Sequence, residues 1–365
     1  MQDARGARLM ESRDARSRFV RLWPSALVLG LVALACGLGP LLSPHAHDRV
    51  YRDFVLAAPS LAAHPTGEEA ADALAGLARH MRVAIDSITG TDAGTRIVLK
   101  SATPIDARAL RAFERSDVFA SPRVIETSDD GRRMEIAVAP IRTRFVLGTD
   151  MNGRDLLTRI LVGGRVSLAV GLLASLVALV IGVAYGAIAG YAGGRVDHVM
   201  MRLVEILYAL PFIFLVIVLT MIFGRSLLLI LVVIGAVEWL DMARIVRGQT
   251  LSIKQRDYVE AAIALGATAP AILRRHVVPN AAGPILAFLA LLVPRVILVE
   301  SFISFLGLGI QEPMTSWGVL IADGARNIQS APTLLIFPAL FLAITLAALQ
   351  ALGKALREAL EPRAG

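Results

Sequence analysis

Residues 167–189 read SLAVGLLASLVALVIGVAYGAIA, an unbroken run without a charged side chain. A helix rises about 1.5 Å per residue, so roughly 20 such residues cross the hydrocarbon core of a bilayer. Five more stretches qualify: Trp23 to Leu42, Val204 to Phe223, Leu227 to Ala243, Pro284 to Leu306 and Leu334 to Leu352. The composition agrees. Of 365 residues, 56% are hydrophobic and 18% charged, and mean hydropathy is +0.64. A soluble domain carries about a quarter charged residues. A disordered chain, a disulfide scaffold and an ordinary soluble enzyme are excluded. The lone Cys36 forms no internal disulfide and no cysteine-based metal site. The fold class is an all-α polytopic membrane protein with six transmembrane helices.

Basic residues set the expected orientation. The first 22 residues hold Arg5, Arg8, Arg13, Arg16, Arg18 and Arg21, a cytoplasmic N-terminal segment before a first transmembrane helix over 23–44. Segment 190–202 holds Arg195 and Arg202, segment 244–280 holds Arg244, Arg247, Lys254, Arg256, Arg274 and Arg275, and the tail 353–365 holds Lys354, Arg357 and Arg363. The short loops expected outside hold only Arg225 and Arg326. Both termini are therefore expected in the cytoplasm. Membrane lipid is the solvent this pattern implies, and nothing in it asks for nucleic acid.

Residues 45–146 then lie outside. From 46 to 166 the chain has 17 basic and 16 acidic residues, nearly neutral. Thr66-Gly67-Glu68-Glu69 is a capping-box-like start, and Ala70, Leu74, Leu77, Met81, Val83, Ala84 and Ile88 predict a helix to about Ser87. Gly90, Asp92 and Gly94 break it. Arg96–Lys100 is strand-like, Asp106–Arg115 predicts a second helix, and Arg123–Thr127 and Arg133–Val138 flank an Asp-Gly turn. The expectation is a small α/β extracytoplasmic insert, αβαββ, over about 66–146.

The segment 248–280 carries the mechanical signal. Tyr258-Val259-Glu260-Ala261-Ala262-Ile263-Ala264-Leu265-Gly266 precedes Ala267–Arg275 and His276-Val277-Val278-Pro279-Asn280. This predicts two short helices joined at a glycine, with Asp257 or Ser252 as cap, Gly266 left-handed, Pro270 in the first turn of the second helix and Pro279 at its end. Small residues let another surface approach closely; an ordinary helical loop has the same composition.

Glu260-Ala261-Ala262, then Gly266, then Pro279 resembles the coupling-loop signature of binding-protein-dependent ABC import permeases. The resemblance runs over about 147–363: Leu147-Gly148-Thr149-Asp150, Gly153-Arg154-Asp155, Arg165-Val166-Ser167-Leu168, Asp197, Ala209-Leu210-Pro211, Arg244 to Gln249, Ser304 to Gly309, Ser316-Trp317-Gly318 and Leu356 to Arg363. It is similar to the C-type subunit of the dipeptide/oligopeptide/nickel branch. One departure stands out. Pro59-Ser60 and His64-Pro65, which often run straight into Gly-Thr-Asp in that branch, are separated from Gly148 by the insert.

The resemblance implies a type I ABC importer fold in a bacterial inner membrane, with 147–352 as the permease domain. It implies a homologous second permease subunit, two ATP-binding subunits and a periplasmic solute-binding protein. Glu260, Ala261, Ala262 and Gly266 would dock on the ATPase, with Arg274, Arg275 and Pro279 beside them. No Gly-x-x-x-x-Gly-Lys-Ser/Thr phosphate loop occurs, so this subunit is expected to be no enzyme and to need no cofactor. Peptides are the first substrate class; peptide-like antibiotics, opines, glutathione and nickel chelates stay open. A stand-alone channel or secondary transporter is the reading from another class, and it leaves the 248–280 segment unexplained. Arg295 and Glu300, inside the fifth span, are candidates for the translocation path or for pairing with a partner. His45, His47 and His64 lack the further ligands of a metal site and read as loop residues.

Overall fold

The computed structural model describes residues 23–91 and 94–360. The basic segment 1–22, Asp92 and Arg363 lie outside them. The chain divides into two compact units, Ser43–Arg159 and the remainder, here taken one at a time.

In the second unit, helix α1 (Trp23–Leu42) is the first apolar element. The Ser43–Arg159 unit follows in sequence. Thr66 opens α2 (Gly67–Met81) with a full capping box: its hydroxyl accepts from the Glu69 N–H and the Glu69 carboxylate accepts from the Thr66 N–H. The helix stops at Arg82, which is left-handed at φ 57°. Here the sequence expectation is corrected. Residues 84–91 are a strand, not the end of a helix. β1 (Ala84–Thr91) pairs with β2 (Gly94–Lys100), a 3-10 turn (Ala107–Leu110) leads into the short α3 (Arg111–Glu114), and β3 (Arg123–Thr127) and β4 (Arg133–Val138) complete one antiparallel sheet in the order β1-β2-β4-β3. The order of elements is therefore αββαββ. Ile85, Ile88, Thr89 and Thr91 are β-branched and suit a pleated surface better than a helix. The core joins Ile97, Leu99, Met134 and Ile136 of the sheet to Leu74, Leu110 and Phe113.

This α/β body leaves and rejoins the chain at one neck. His64 and Thr143 exchange two backbone hydrogen bonds of 2.7 Å each. Beneath them Phe145 touches the rings of His45, Tyr51, Phe54 and His64. The segments 51–60 and 145–155 pack backbone to backbone. Gly153 is left-handed at φ 75°, and a Cβ there would sit 2.1 Å from the Tyr51 carbonyl oxygen. Asp150 gathers the turn: its carboxylate accepts from the N–H groups of Asn152 and Arg154 and from the Arg154 and Arg159 guanidiniums. The Asp155 carboxylate accepts the Thr158 N–H at 2.8 Å and so caps the following helix.

The remaining helices are α4 (Leu156–Ala192), α5 (Gly194–Ala209), α6 (Phe212–Phe223), α7 (Leu227–Lys254), α8 (Asp257–Ala264), α9 (Ala269–Ile272), a π-helical segment (Leu273–Val277), α10 (Val278–Phe305), α11 (Trp317–Arg326) and α12 (Thr333–Leu360). Among the described residues, four helices are long and apolar enough to cross a membrane: α1, α4, the continuous run Ala269–Phe305, and α12. A fifth arises if α5 and α6, bent by 78°, count as one span. The expected third span is thus not one helix. Pro211 is extended and begins α6 rather than kinking a continuous helix. α7 is long enough, but Glu238, Asp241 and Arg244 fall within its first 18 residues and set it apart by composition.

α4 and α7 meet along Gly182, Gly186 and Gly190, one turn apart. A Cβ on them would come within 2.6 Å of Met242 Cβ, 2.3 Å of the Ala243 carbonyl oxygen and 2.8 Å of Thr250 Cβ. Small residues at this spacing let helix backbones pack closely in a membrane.

Candidate functional site

The 248–280 segment projects from a buried anchor. Val259 of α8 is fully enclosed with Ile253, Ile272, Val277 and Ala281. Ala262, three residues on, is half-buried; Glu260, Ala261 and Ala264 face solvent. Tyr258, Ile263 and Leu265 are also exposed, Leu265 by 90%. The Ala267 N–H donates to the Ala262 carbonyl and the Gly266 N–H to the Ile263 carbonyl. That pair is a Schellman motif, and Gly266 takes the left-handed position it requires at φ 80°. Open space surrounds Gly266. The outcome is a short helix with an apolar tip and an acidic side.

Two expectations for this segment are corrected. No side chain caps α8: Arg256 is the cap residue, Asp257 is the first helical residue, and Ser252 lies inside α7. Pro279 does not end a helix. It sits in the first turn of α10, and the helical path is continuous from Ala269. Proline has no N–H to give Arg275, and its ring crowds that carbonyl. The chain widens to a π turn over Leu273–Val277 just before it. Arg274 and Arg275 stand exposed on that turn.

The two charges expected inside the fifth span, Arg295 and Glu300, are partnered. Arg295 of α10 donates to Asp241 at 2.8 Å and lies 3.5 Å from Glu238, both on α7. Its side chain is half exposed. Glu300 is fully buried among hydroxyls: its carboxylate accepts from Ser304 at 2.8 Å and Ser167 at 3.2 Å. The Ser167 hydroxyl also accepts the Trp317 N–H, and the Trp317 indole donates to the Ile160 carbonyl. Glu300 thereby ties α4, α10 and α11 together. Asp197 receives a bidentate pair from Arg247, both bonds 2.6 Å, joining α5 to α7.

A family profile described as "Binding-protein-dependent transport system inner membrane component" matches residues 182–365. The chain is 52% identical over 216 residues to the oligopeptide transport system permease protein OppC of Haemophilus influenzae, covering 59% of this chain and 70% of that protein. The family is settled by these matches. The chain belongs to the binding-protein-dependent transport system inner membrane components. It is also 56% identical over 216 residues to OppC of Escherichia coli (strain K12), covering 59% and 72% of the two chains. Identity with the dipeptide transport system permease protein DppC of Bacillus subtilis is 48% over 217 residues, covering 59% and 68%.

In this inner membrane component, then, the structure puts Glu260, Ala261, Ala262 and Gly266 on one short projecting element, with Arg274 and Arg275 beside it. It does not bring Arg295 and Glu300 together; they belong to separate polar clusters. Sequence reading missed the Arg295 pair with α7. The signal was present, because Glu238 and Asp241, one turn apart in an apolar stretch, call for a nearby base. It also missed the serine nest around Glu300, whose members are scattered over 150 residues of chain. The Gly182, Gly186, Gly190 spacing was readable and marks the close α4–α7 seam. His45 and His64 are structural: the His45 Nε2–H donates to the Arg144 carbonyl while Nδ1 accepts from Tyr51, and His64 pairs with Glu69.

Proposed function

We infer that this chain is one membrane-spanning subunit of an ATP-driven, binding-protein-dependent importer of di- and oligopeptides. The identity of 48 to 56% with permeases named for oligopeptide and dipeptide transport carries the reading. The subunit supplies part of the pore, works with a homologous second permease, and receives solute from a binding protein. It contains no phosphate loop, so hydrolysis is assigned to two separate ATP-binding subunits.

The projecting α8 supports a docking role. Glu260, Ala261 and Ala262 form its side, Leu265 its tip, and Gly266 the corner; Arg274, Arg275 and Pro279 form the base. Burying an exposed Leu or Ile side chain in a partner's groove is worth about 1.5–3 kcal/mol. Val259 fixes α8 to the start of α10, so a push on the tip is delivered to a transmembrane helix. Arg295, half exposed beside Asp241, is the intramembrane charge we place toward the path. Glu300, enclosed, is a strut. The chain crosses the inner membrane six times, with α7 and the α5–α6 pair included and both termini in the cytoplasm.

Purification of the tagged chain in mild detergent tests the assembly. Two ATP-binding chains and one homologous permease should accompany it, and the reconstituted complex should take up dipeptides only with ATP and the binding protein. A chain that purifies alone, under conditions that hold other ABC complexes together, overturns the reading.

A further inference from the structure

One cleft of the Ser43–Arg159 unit is not used by any part of this reading. It has a volume of about 490 Å³ and opens between Pro44, Tyr51 and the strand-like run 141–144. Arg49, Arg142 and Arg144 line it. None of the three is in an ion pair among the described residues, although pairs are formed elsewhere in the same unit, at Arg96, Arg133 and Arg154. Unbalanced guanidiniums converging on one concavity are a site for a planar or tetrahedral oxyanion.

The convergence is built in. Thr143 is fixed to His64 by the two neck hydrogen bonds. Side chains two residues apart on an extended segment point the same way, so Arg142 and Arg144 flank Thr143 on a common side. The Arg144 backbone is held by the His45 ring at 3.0 Å, and His45 is held by the Tyr51 hydroxyl at 2.7 Å. The Arg49 guanidinium lies 4.7 Å above the Tyr51 ring centroid, which restrains it by a cation–π contact. The scaffold beneath the arginines is thus buried and hydrogen-bonded, and among the described residues Arg142 and Arg144 enter no ion pair.

Chain position and lining favour one class of anion. Pro44 follows Leu42, the last residue of the apolar helix α1, by two positions, and each residue spans at most about 3.6 Å. The cleft lining thus begins only two residues along the chain from the end of an apolar helix. Ile141 and Ala63 give it apolar wall beside the guanidiniums. Phosphate next to an apolar glycerol ester is the chemistry of a phospholipid headgroup.

We propose that Arg49, Arg142 and Arg144 form a phosphate-binding cleft that holds the headgroup of an anionic phospholipid at the membrane surface. The inference stands apart from the choice of transported solute. Binding is measured by thermal unfolding of the purified full chain, or of the complex that carries it, in neutral detergent. Short-chain phosphatidylglycerol, inorganic phosphate and a neutral short-chain monoacylglycerol are titrated separately.

Saturable stabilisation by phosphatidylglycerol, with inorganic phosphate at least about tenfold weaker, establishes a lipid source; equal affinity for both establishes free phosphate as the source of the same chemistry. The R49Q/R142Q/R144Q variant should lose the phosphatidylglycerol response by about tenfold or more, and Arg142→Gln alone, an exposed side chain in no ion pair among the described residues, by about threefold. R142K/R144K should keep most of it. Equal affinity for the neutral monoacylglycerol, or an unchanged phosphatidylglycerol response in the glutamine variants, overturns the proposal and leaves the cleft to an acidic protein surface.

Discussion

Gly266 and Gly153 both hold a left-handed backbone, for different reasons, and their replacements separate the two. Around Gly266 there is open space, so Gly266→Ala meets only the backbone penalty of a side chain at φ 80°, about 1–2 kcal/mol. The membrane unit should keep its melting temperature within a few degrees, while ATP hydrolysis in the reconstituted complex proceeds with less transport per ATP. Full coupling in a Gly266→Trp complex would remove the case for docking at this corner. At Gly153 the new Cβ meets the Tyr51 carbonyl oxygen at 2.1 Å as well as strain at φ 75°. Gly153→Ala should cost about 2–4 kcal/mol and expose the neck to limited proteolysis. Glu69 gives a pH signature. Burial pushes its carboxyl up, but the Thr66 N–H and the His64 ring together outweigh that and hold it below the usual glutamate range. A group lowered on folding stabilises above its unfolded value, near 4.5, and loses that contribution as pH falls through the folded value. Glu69→Gln should therefore flatten the drop in melting temperature below pH 4.5.

At the scale of elements, the α/β body hangs from a neck that closes on itself. The 2.7 Å exchange between His64 and Thr143 means that residues 66–141 can be replaced by a short Gly-Ser turn without stretching the chain. The deletion should express, insert and still run as a monodisperse complex on size exclusion, with a lower melting point because Tyr51, Phe54 and Phe145 lose part of their cover. Collapse of the whole chain would show that the body is integral to the neck. Several of these elements were legible beforehand. The cap at Thr66, the turn ending at Gly131 and the corner at Gly266 are fixed by local chemistry that neighbouring residues carry. The strand at Ala84–Thr91 was not, because Val83, Ala84 and Ile88 fit helical spacing as well, and the choice came from pairing with β2. The π turn before Pro279 was missed for a related reason: proline marks a disturbance, and tertiary packing of Val277 and Ala281 decides that the helix continues through it. The Glu260–Gly266 segment was visible as a motif, while the Arg295 and Glu300 clusters depend on contacts between distant helices.

For the whole molecule, the open question of charge is α7. Glu238, Asp241 and Arg244 each oppose insertion by about 2.5–3.5 kcal/mol at a helix centre. Arg295 offsets the first two, and Arg244 stacks over the Tyr208 ring with 4.4 Å to its centroid. Partnered in this way, α7 is affordable as a crossing, which supports the proposed six crossings with both termini on one side. Accessible cysteines test the arrangement in a Cys36→Ser background. Ser121→Cys and Arg225→Cys should react with a membrane-impermeant maleimide in intact spheroplasts, whereas Arg195→Cys and Arg275→Cys should react only in inverted vesicles. Arg225 and Arg275 bracket α7, so equal labelling of that pair from one side would show that α7 does not cross. A reversed pattern at all four sites would keep the six crossings and turn the molecule over. That result would place α8 outside the cell, away from ATP, and the docking role would fall with it.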